Sequence, residues 1–294
     1  MLINGVPGDQ ISACDRGLQY GDGIFRTMRV LGGQVLYWPR HYRKLQQDCA
    51  ALSIPCPEAT LLFDELQGLV KQQPDGVAKI IITRGIQEKR GYAPAADTSP
   101  TRILSITPAS DYPKSFHTQG IKLHVCDVRL SHQPRLAGVK HLNRLENVLA
   151  TAEWNDAEIA EGLMLDIEGN VIEGTRSNLF MVRDGALLTP DLSRCGVAGI
   201  QRERVMERVI EHGVPCQVSQ IALAELLAAD EVFLVNSIIG LWPVRELRSR
   251  TWNQLPMSRQ VQQWLNPDFP LENSRHSGPR FTPSRAGCVR NPDD

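Results

Sequence analysis

Cysteine is sparse in this 294-residue chain and is never placed in close pairs. Its seven cysteines are odd in number and scattered, and no C-x-x-C spacing occurs. Such a distribution argues against a disulfide framework and against a cysteine-ligated zinc site. We therefore expect small buried thiols in a reducing compartment and no bound metal.

Long apolar runs and an excess of charge of either sign are also missing. No stretch approaches a membrane span, and the first nine residues show no signal-peptide pattern. Lysine and arginine total 32 against 33 aspartates and glutamates, and the net charge of -1 favours neither nucleic acid nor an anionic membrane as a partner. We expect a cytoplasmic protein that acts on a small molecule.

Turn residues and hydrophobic periodicity divide the chain into two parts. Residues 1–108 combine short strands with two amphipathic helices, which indicates a small α+β domain. Residues 109–120, rich in proline, serine and polar side chains, are expected to link it to a larger domain over 121–265. Residues 266–294 hold few apolar side chains and are expected to be disordered.

Local patterns predict the elements nearest the candidate site. Three glycines within residues 14–27 predict a tightly folded loop. Ser219 is a candidate cap for a helix over 220–228. The amphipathic segments predicted as helices are 39–52, 58–73 and 200–212.

One lysine, Lys140, stands in the stretch 136–146, where the chain turns into a predicted helix. Gly138 allows the backbone to turn tightly just before it. The apolar residues that follow have the spacing of one buried helix face: Leu142, Leu145, Leu149 and Ala152. A lysine withdrawn from water at such a junction becomes a usable nucleophile, as in Schiff-base enzymes. An ordinary exposed loop lysine is the alternative.

Three further stretches carry groups suited to a phosphorylated heterocycle. Glu173 could keep a heterocyclic nitrogen protonated, as a pyridine-based electron sink requires. The loop that ends at Gly199 runs into the predicted helix at Ile200, where backbone N–H groups and the helix dipole could bind a phosphate. Ser237 follows a buried strand and could add its hydroxyl group. A surface glutamate, a plain loop-to-helix junction and an ordinary sheet edge are the alternatives.

Two loop residues of the first part, Arg90 and Tyr92, could bind a substrate carboxylate through a guanidinium and a phenol group. Solvated loop side chains are the alternative. His141, beside Lys140, could carry a proton, but the sequence supplies no orienting partner, so we favour a structural histidine.

Together these stretches resemble the fold-type IV pyridoxal-phosphate enzymes. The lysine stretch is the most specific of them, and the glycine loops are shared with D-amino-acid and branched-chain aminotransferases. The resemblance extends to about Trp264 and rests on residues 15–23, 83–92, 136–146, 173–180 and 196–200.

The resemblance implies pyridoxal 5′-phosphate in a cleft between a small α+β domain and a larger barrel-like domain. Lys140 would form the internal aldimine with this cofactor and act as the proton carrier. Glu173 would pair with the pyridine nitrogen.

The resemblance also assigns the phosphate of the cofactor to the backbone of Gly199 and Ile200, to Ser237 and to a basic residue of the first long helix. Arg43 and Lys44 are the candidates on that helix. Neighbouring helix positions point about 100° apart, so only one of them can face the phosphate. We favour Lys44, which stands where the family carries an arginine.

Within the family, the lysine stretch is most similar to the lyases that convert 4-amino-4-deoxychorismate to 4-aminobenzoate and pyruvate in folate biosynthesis. The resemblance implies that reaction, and a homodimer whose site takes a loop from the partner subunit. Arg90 and Tyr92 would then orient a substrate carboxylate. The alternatives are a D-amino-acid or branched-chain aminotransferase of the same fold and a non-catalytic pyridoxal-phosphate-binding protein.

Overall fold

The structure, a computed structural model, contains two β-sheets with helices packed against them. It describes residues 1–88, 90–95 and 98–265, and the tail 266–294, expected to be disordered, lies outside the described residues. One sheet belongs to a small domain and the other to a large domain. The predicted two-domain α+β fold is confirmed.

The small domain is built on an antiparallel sheet, with strand order β2-β1-β6-β5-β3-β4 in the described residues. Two amphipathic helices, α2 and α3, cover the sheet with leucines at helical spacing, and the helices predicted over 39–52 and 58–73 are thereby confirmed to within a few residues. The elements in chain order are β1 (Leu2–Ile3), β2 (Val6–Pro7), α1 (Arg16–Tyr20), β3 (Gly23–Leu31), β4 (Gln34–Val35), α2 (Trp38–Ala51), α3 (Ala59–Val70), β5 (Gly76–Thr83) and β6 (Thr101–Thr107).

The segment 14–27 is not the loop that its glycines predict, because it forms helix α1 and the first half of strand β3. The glycines serve close packing: a Cβ atom on Gly17 would lie 2.3 Å from Thr83 Cγ2. The strand is hidden in the sequence because a charged residue, Arg26, occupies one of its buried positions.

The large domain contains a closed, barrel-like sheet. Over residues 121–265, the strands β10-β13-β14-β7-β8-β9 form a ring, since β9 pairs back to β10 at Glu173 and Asn178. The elements from the interdomain connection onward are α4 (Ser115–Thr118), β7 (Ile121–Leu130), α5 (Leu145–Thr151), β8 (Ile159–Asp166), β9 (Val171–Gly174), β10 (Asn178–Arg183), β11 (Ala186–Pro190), α6 (Ile200–Glu211), β12 (Cys216–Ser219), α7 (Leu223–Leu227), β13 (Glu231–Asn236), β14 (Gly240–Leu247), β15 (Arg250–Thr251) and α8 (Pro256–Leu265).

The segment 109–120 is partly structured. Tyr112 and Phe116 pack edge-on against the buried Trp242, with ring centroids 4.8 and 5.1 Å away. The second half of the segment, which contains α4, is therefore attached to the large domain. Among the described helices, none has both the length and the apolar character needed to cross a membrane.

Two local predictions in the large domain are wrong. Ser219 belongs to β12, and α7 begins at Leu223 with Ala222 as its N-cap residue. Helix α5 does not bury the predicted leucine face, because Leu145 and Leu149 are 75% and 58% exposed. Its inward positions carry small and polar residues instead, which pack closely against the sheet and the cavity: Ala150 and Asn147.

Candidate active site

A cavity of about 300 Å³ lies between the two domains. The small domain lines it through β3 and α2, and the large domain through β9, β10, the start of α6 and the turn 236–238. Five predicted site residues, from four separate places in the sequence, line this cavity together: Lys140, Glu173, Gly199, Ile200 and Ser237.

The backbone of Lys140 is tied to the small domain. Its carbonyl accepts a hydrogen bond from Phe25 N–H at 2.9 Å, and its own N–H donates to Asp48 Oδ2 at 3.2 Å. The Lys140 Nζ atom lies 4.5 Å from the centroid of the Phe25 ring. Burial, as the larger cause, and the nearby Arg144 guanidinium, as the next, lower the pKa of Lys140 to about 8. A substantial neutral fraction of this amine is therefore available near neutral pH.

Glu173 is a buried carboxylate in strand β9 that lines the same cavity. It accepts a hydrogen bond from Val197 N–H at 2.9 Å. Burial raises the pKa of Glu173 to about 7, although this hydrogen bond and Arg144 oppose the shift. The carboxyl group is thus placed to exchange or share a proton with a basic group in the cavity.

The start of helix α6 presents backbone donors to the cavity. The N–H of the cap residue Gly199 already donates to Asn178 Oδ1 at 3.1 Å, and a Cβ atom there would lie 2.3 Å from the same oxygen. The next N–H groups, of Ile200 and Gln201, lack acceptors within the helix. An anion at this point would therefore bind to the N–H groups of Ile200 and Gln201 rather than to that of Gly199.

Ser237 lies on a turn that lines the same cavity as this helix start. The side-chain oxygen of Asn236 accepts hydrogen bonds from the N–H groups of Ile238 and Ile239, at 2.8 and 2.9 Å. This Asx-type turn fixes the backbone around Ser237.

The basic residues predicted on helix α2 do not line the cavity. Arg43 forms an ion pair with Glu203 of helix α6, and Lys44 Nζ lies 3.4 Å from Asp48 Oδ1. Their neighbour His41 lines the cavity instead.

Arg90 and Tyr92 also lie outside this cavity, on an exposed loop of the small domain. Tyr92 is 85% exposed, but the backbone around it is anchored. Arg16 donates from Nη1 to the Gly91 carbonyl at 3.1 Å and from Nη2 to the Tyr92 carbonyl at 2.7 Å. His141 does not line the cavity either, and burial lowers its pKa to about 4, so it is neutral at physiological pH.

Positive charge dominates the cavity walls. Besides Lys140, the guanidinium groups of Arg26, Arg144 and Arg176 line it, against the carboxylate of Glu173. Sequence reasoning missed all three arginines. The available signals were a charged residue inside an apolar strand for Arg26 and a place within the lysine stretch for Arg144. Such walls suit an anionic ligand.

The chain is similar to known lyases and aminotransferases. It is 38% identical to the aminodeoxychorismate lyase of Vibrio harveyi over 243 residues, 82% of this chain and 89% of that protein. The crystal structure of 4-amino-4-deoxychorismate lyase from Pseudomonas aeruginosa matches with a TM-score of 0.88 and 48% identity, over 91% of this chain and 98% of that chain.

More distant similarities reach the aminotransferases. A putative branched-chain-amino-acid aminotransferase of Methanocaldococcus jannaschii is 31% identical over 83% of this chain and 85% of that protein. The model of the amino-transferase class IV family matches residues 23–247, which include both walls of the cavity. The chain belongs to the class IV aminotransferase family.

Proposed function

We propose that the chain is a pyridoxal-phosphate-dependent lyase that converts 4-amino-4-deoxychorismate to 4-aminobenzoate and pyruvate. The main observation behind this proposal is that Lys140 and Glu173 line one cavity. The chain is also similar over most of its length to two proteins that bear the name of this lyase.

The residues of the cavity fit pyridoxal 5′-phosphate. Lys140, whose pKa is lowered, would hold its aldehyde carbon, and the buried Glu173 would hold its pyridine nitrogen. The start of α6 at Ile200, with Ser237, would take its phosphate. Bound there, the cofactor supplies an electron sink for the electron pair released when a substrate proton is removed.

Lys140 would remove the proton from the ring carbon that bears the substrate's amino group. Glu173 would keep the pyridine nitrogen protonated while that happens. The C–O bond between the adjacent carbon and the enolpyruvyl group then breaks, the oxygen keeps the bonding pair, and the ring becomes aromatic. The released enolpyruvate becomes pyruvate by taking up a proton, which the ammonium group of Lys140 formed in the first step would return. Arg144 contributes by keeping part of the Lys140 amine neutral.

The substrate carries two carboxylates, and two sets of residues are suited to them. Arg176 lines the cavity mouth, where Glu161 and the Ala160 carbonyl hold its guanidinium. The loop with Arg90 and Tyr92 would serve the cavity of the partner subunit in a homodimer. The exposed apolar residues of α5, Leu145 and Leu149, are consistent with a face covered by a second subunit.

Incubation of the purified protein with 4-amino-4-deoxychorismate and pyridoxal phosphate tests the proposal, with 4-aminobenzoate and pyruvate measured separately. We expect equal amounts of both products, and at least about 1,000-fold less with Lys140→Ala because nucleophile and proton carrier are lost together. Lys71→Ala, an exposed lysine at the end of α3, is the control. Undiminished product formation by Lys140→Ala would refute the mechanism.

An aminotransferase is the second candidate, favoured by the 31% identity to the Methanocaldococcus jannaschii protein. It would use the same lysine but pass the amino group to a keto acid. Glutamate formed from 2-oxoglutarate and a D- or branched-chain amino acid, without 4-aminobenzoate from the lyase substrate, would identify that activity.

A further inference from the structure

Several buried side-chain nitrogen atoms of residues that line the cavity have no hydrogen-bond partner among the described residues. They are Arg26 Nε, both ring nitrogens of His41, and Gln201 Nε2. In the neutral His41 ring, one of the two nitrogens is a donor. These three residues are only 3%, 3% and 1% exposed. A buried polar group without a partner costs about 1–3 kcal/mol, so a cluster of them indicates a site built for a polar ligand.

The three residues line the same cavity from both domains, Arg26 and His41 from the small domain and Gln201 from helix α6. Gln201 lies in the first turn of that helix, and its Oε1 accepts a hydrogen bond from Arg204 Nη1 at 2.8 Å. Helix α2 runs beside α6, as the ion pair between Arg40 and Glu207 shows. His41, on α2, therefore lines the cavity together with the first turn of α6, where the N–H groups of Ile200 and Gln201 have no acceptor within the helix.

Charge at this end of the cavity comes from Arg26. Its Nη2 contacts the buried carboxylate of Asp48, which leaves Nε as a cationic donor that lines the cavity. His41 supplies no charge, because burial and the nearby Arg26 and Arg204 lower its pKa to about 3. Lys44 and Arg43, the basic residues of α2, are engaged by Asp48 and Glu203 and do not line the cavity.

We propose that Arg26 is the cationic phosphate ligand of this chain, assisted by the neutral donors of His41 and Gln201, in place of a basic residue of helix α2. This inference rests on the proposed function, since the phosphate is that of the proposed cofactor. A guanidinium Nε–H is a charge-assisted donor for a phosphate oxygen, and it offsets the cost of burying the dianion.

The test compares pyridoxal phosphate with pyridoxal, which lacks the phosphate, by absorbance titration of the apo-protein. For Arg26→Met we expect affinity for pyridoxal phosphate to fall by about 10- to 100-fold, as expected for the loss of a hydrogen bond between charged groups. Affinity for pyridoxal should stay within about twofold of wild type, because pyridoxal has no phosphate for Arg26 to bind. Arg29→Met, on the same strand but outside the cavity lining, is the matched control and should change neither affinity.

Loss of Arg26 leaves the buried Asp48 with Lys44 as its remaining ion-pair partner, so two further variants protect the test from a folding defect. The double variant Arg26→Met with Asp48→Asn also removes the buried negative charge, and His41→Phe removes a neutral donor while leaving the ion pair between Arg26 and Asp48 intact. Both should lower affinity for pyridoxal phosphate and spare pyridoxal, with thermal unfolding of the apo-proteins as the check on folding.

The possible results separate this inference from the proposed function. If the wild-type protein takes up neither compound, the proposed function fails. If wild type binds pyridoxal phosphate but the Arg26 variants lose affinity for both compounds equally, or for neither, only the inference is overturned. A phosphate-specific loss in Lys44→Met, with none in the Arg26 variants, would return the role to Lys44.

Discussion

Lys140 and Glu173 show how burial prepares two ordinary side chains for acid–base chemistry. Each would be charged at pH 7 in water, and each has its pKa moved toward neutrality, to about 8 and about 7 respectively. Desolvation is the largest cause in both cases, so the shifts depend on the cavity walls more than on any single neighbour.

The nucleophilicity of Lys140 should follow its lowered pKa. Because only the neutral amine reacts with an aldehyde, we expect the rate of pyridoxal addition to the apo-protein to rise with pH through a midpoint of about 8. Arg144→Met should move this midpoint upward, since Arg144 is the strongest cationic neighbour of Lys140. Stopped-flow absorbance measures the rates. An unchanged midpoint in Arg144→Met would show that Arg144 does not contribute to the lowered pKa.

We expect the buried carboxylate of Glu173, which the proposed reaction requires, to lower the stability of the fold. Its folded-state pKa of about 7 lies above the ordinary 4.5, so the unfolded chain binds fewer protons and the carboxyl group destabilises the fold as pH rises between these values. We expect Glu173→Gln to raise the free energy of unfolding of the apo-protein at pH 8 by about 2 kcal/mol, and by much less at pH 5.

The same substitution should lower 4-aminobenzoate formation by about 100-fold, because an amide cannot keep the pyridine nitrogen protonated. Urea unfolding at the two pH values and product assays provide the measurements. Glu168→Gln, an exposed glutamate paired with Arg194, is the control. If Glu173→Gln instead lowered the free energy of unfolding at pH 8, the assignment of Glu173 as a destabilising buried carboxylate would be wrong.

At the scale of elements, the sequence predicts those helices whose apolar residues recur with a clear period. Helices α2, α3 and α6 were predicted because each carries one apolar stripe. Strand β14 was missed: Pro243 interrupts it, and it is buried over most of its length, so no alternation marks it. The face of α5 was predicted wrongly because period alone does not tell which side of a helix meets the protein.

The site was predictable where a backbone signal accompanies the side chain or where the family resemblance supplies a role, as for Glu173. Gly199 and Ile200 mark a loop that enters a helix, and Lys140 follows a turn at Gly138. Arg26 and His41 carry no such signal, because their place in the cavity depends on how a strand and a helix of one domain meet the other domain.

Arg16 anchors the loop of Arg90 and Tyr92, together with the ring of Tyr20, which packs edge-on against the ring of Tyr92. Arg16 binds the carbonyl groups of Gly91 and Tyr92 and is itself paired with Asp22 at 2.8 Å. We expect Arg16→Met to free the loop and to speed limited trypsin cleavage after Arg90 several-fold, as mass spectrometry of the fragments would show. Arg29→Met is the control, and equal cleavage rates in both variants would exclude the anchoring role.

At the scale of the whole molecule, the chain is nearly neutral but its cavity is not. The whole chain has a net charge of -1, whereas the charged side chains that line the cavity are three arginines and Lys140 against one carboxylate. This contrast concentrates attraction for anions at the site and leaves the rest of the surface without a strong preference. Arg90, by contrast, lies outside the cavity of its own subunit, which ties its proposed role to a homodimer.

Mixing two inactive variants tests whether the active unit is a homodimer with shared sites. Lys140→Ala removes the nucleophile, and the double variant Arg90→Ala with Tyr92→Ala removes the exposed loop side chains. If each loop serves the other subunit, a hybrid dimer has one complete site, with Lys140 from one chain and the loop from the other. Random re-association should then restore about a quarter of wild-type activity, because about half of the dimers are hybrids and each has one of two sites intact. If the loop serves its own subunit, no hybrid has a complete site and the mixture stays inactive, and light scattering shows in either case whether dimers have formed.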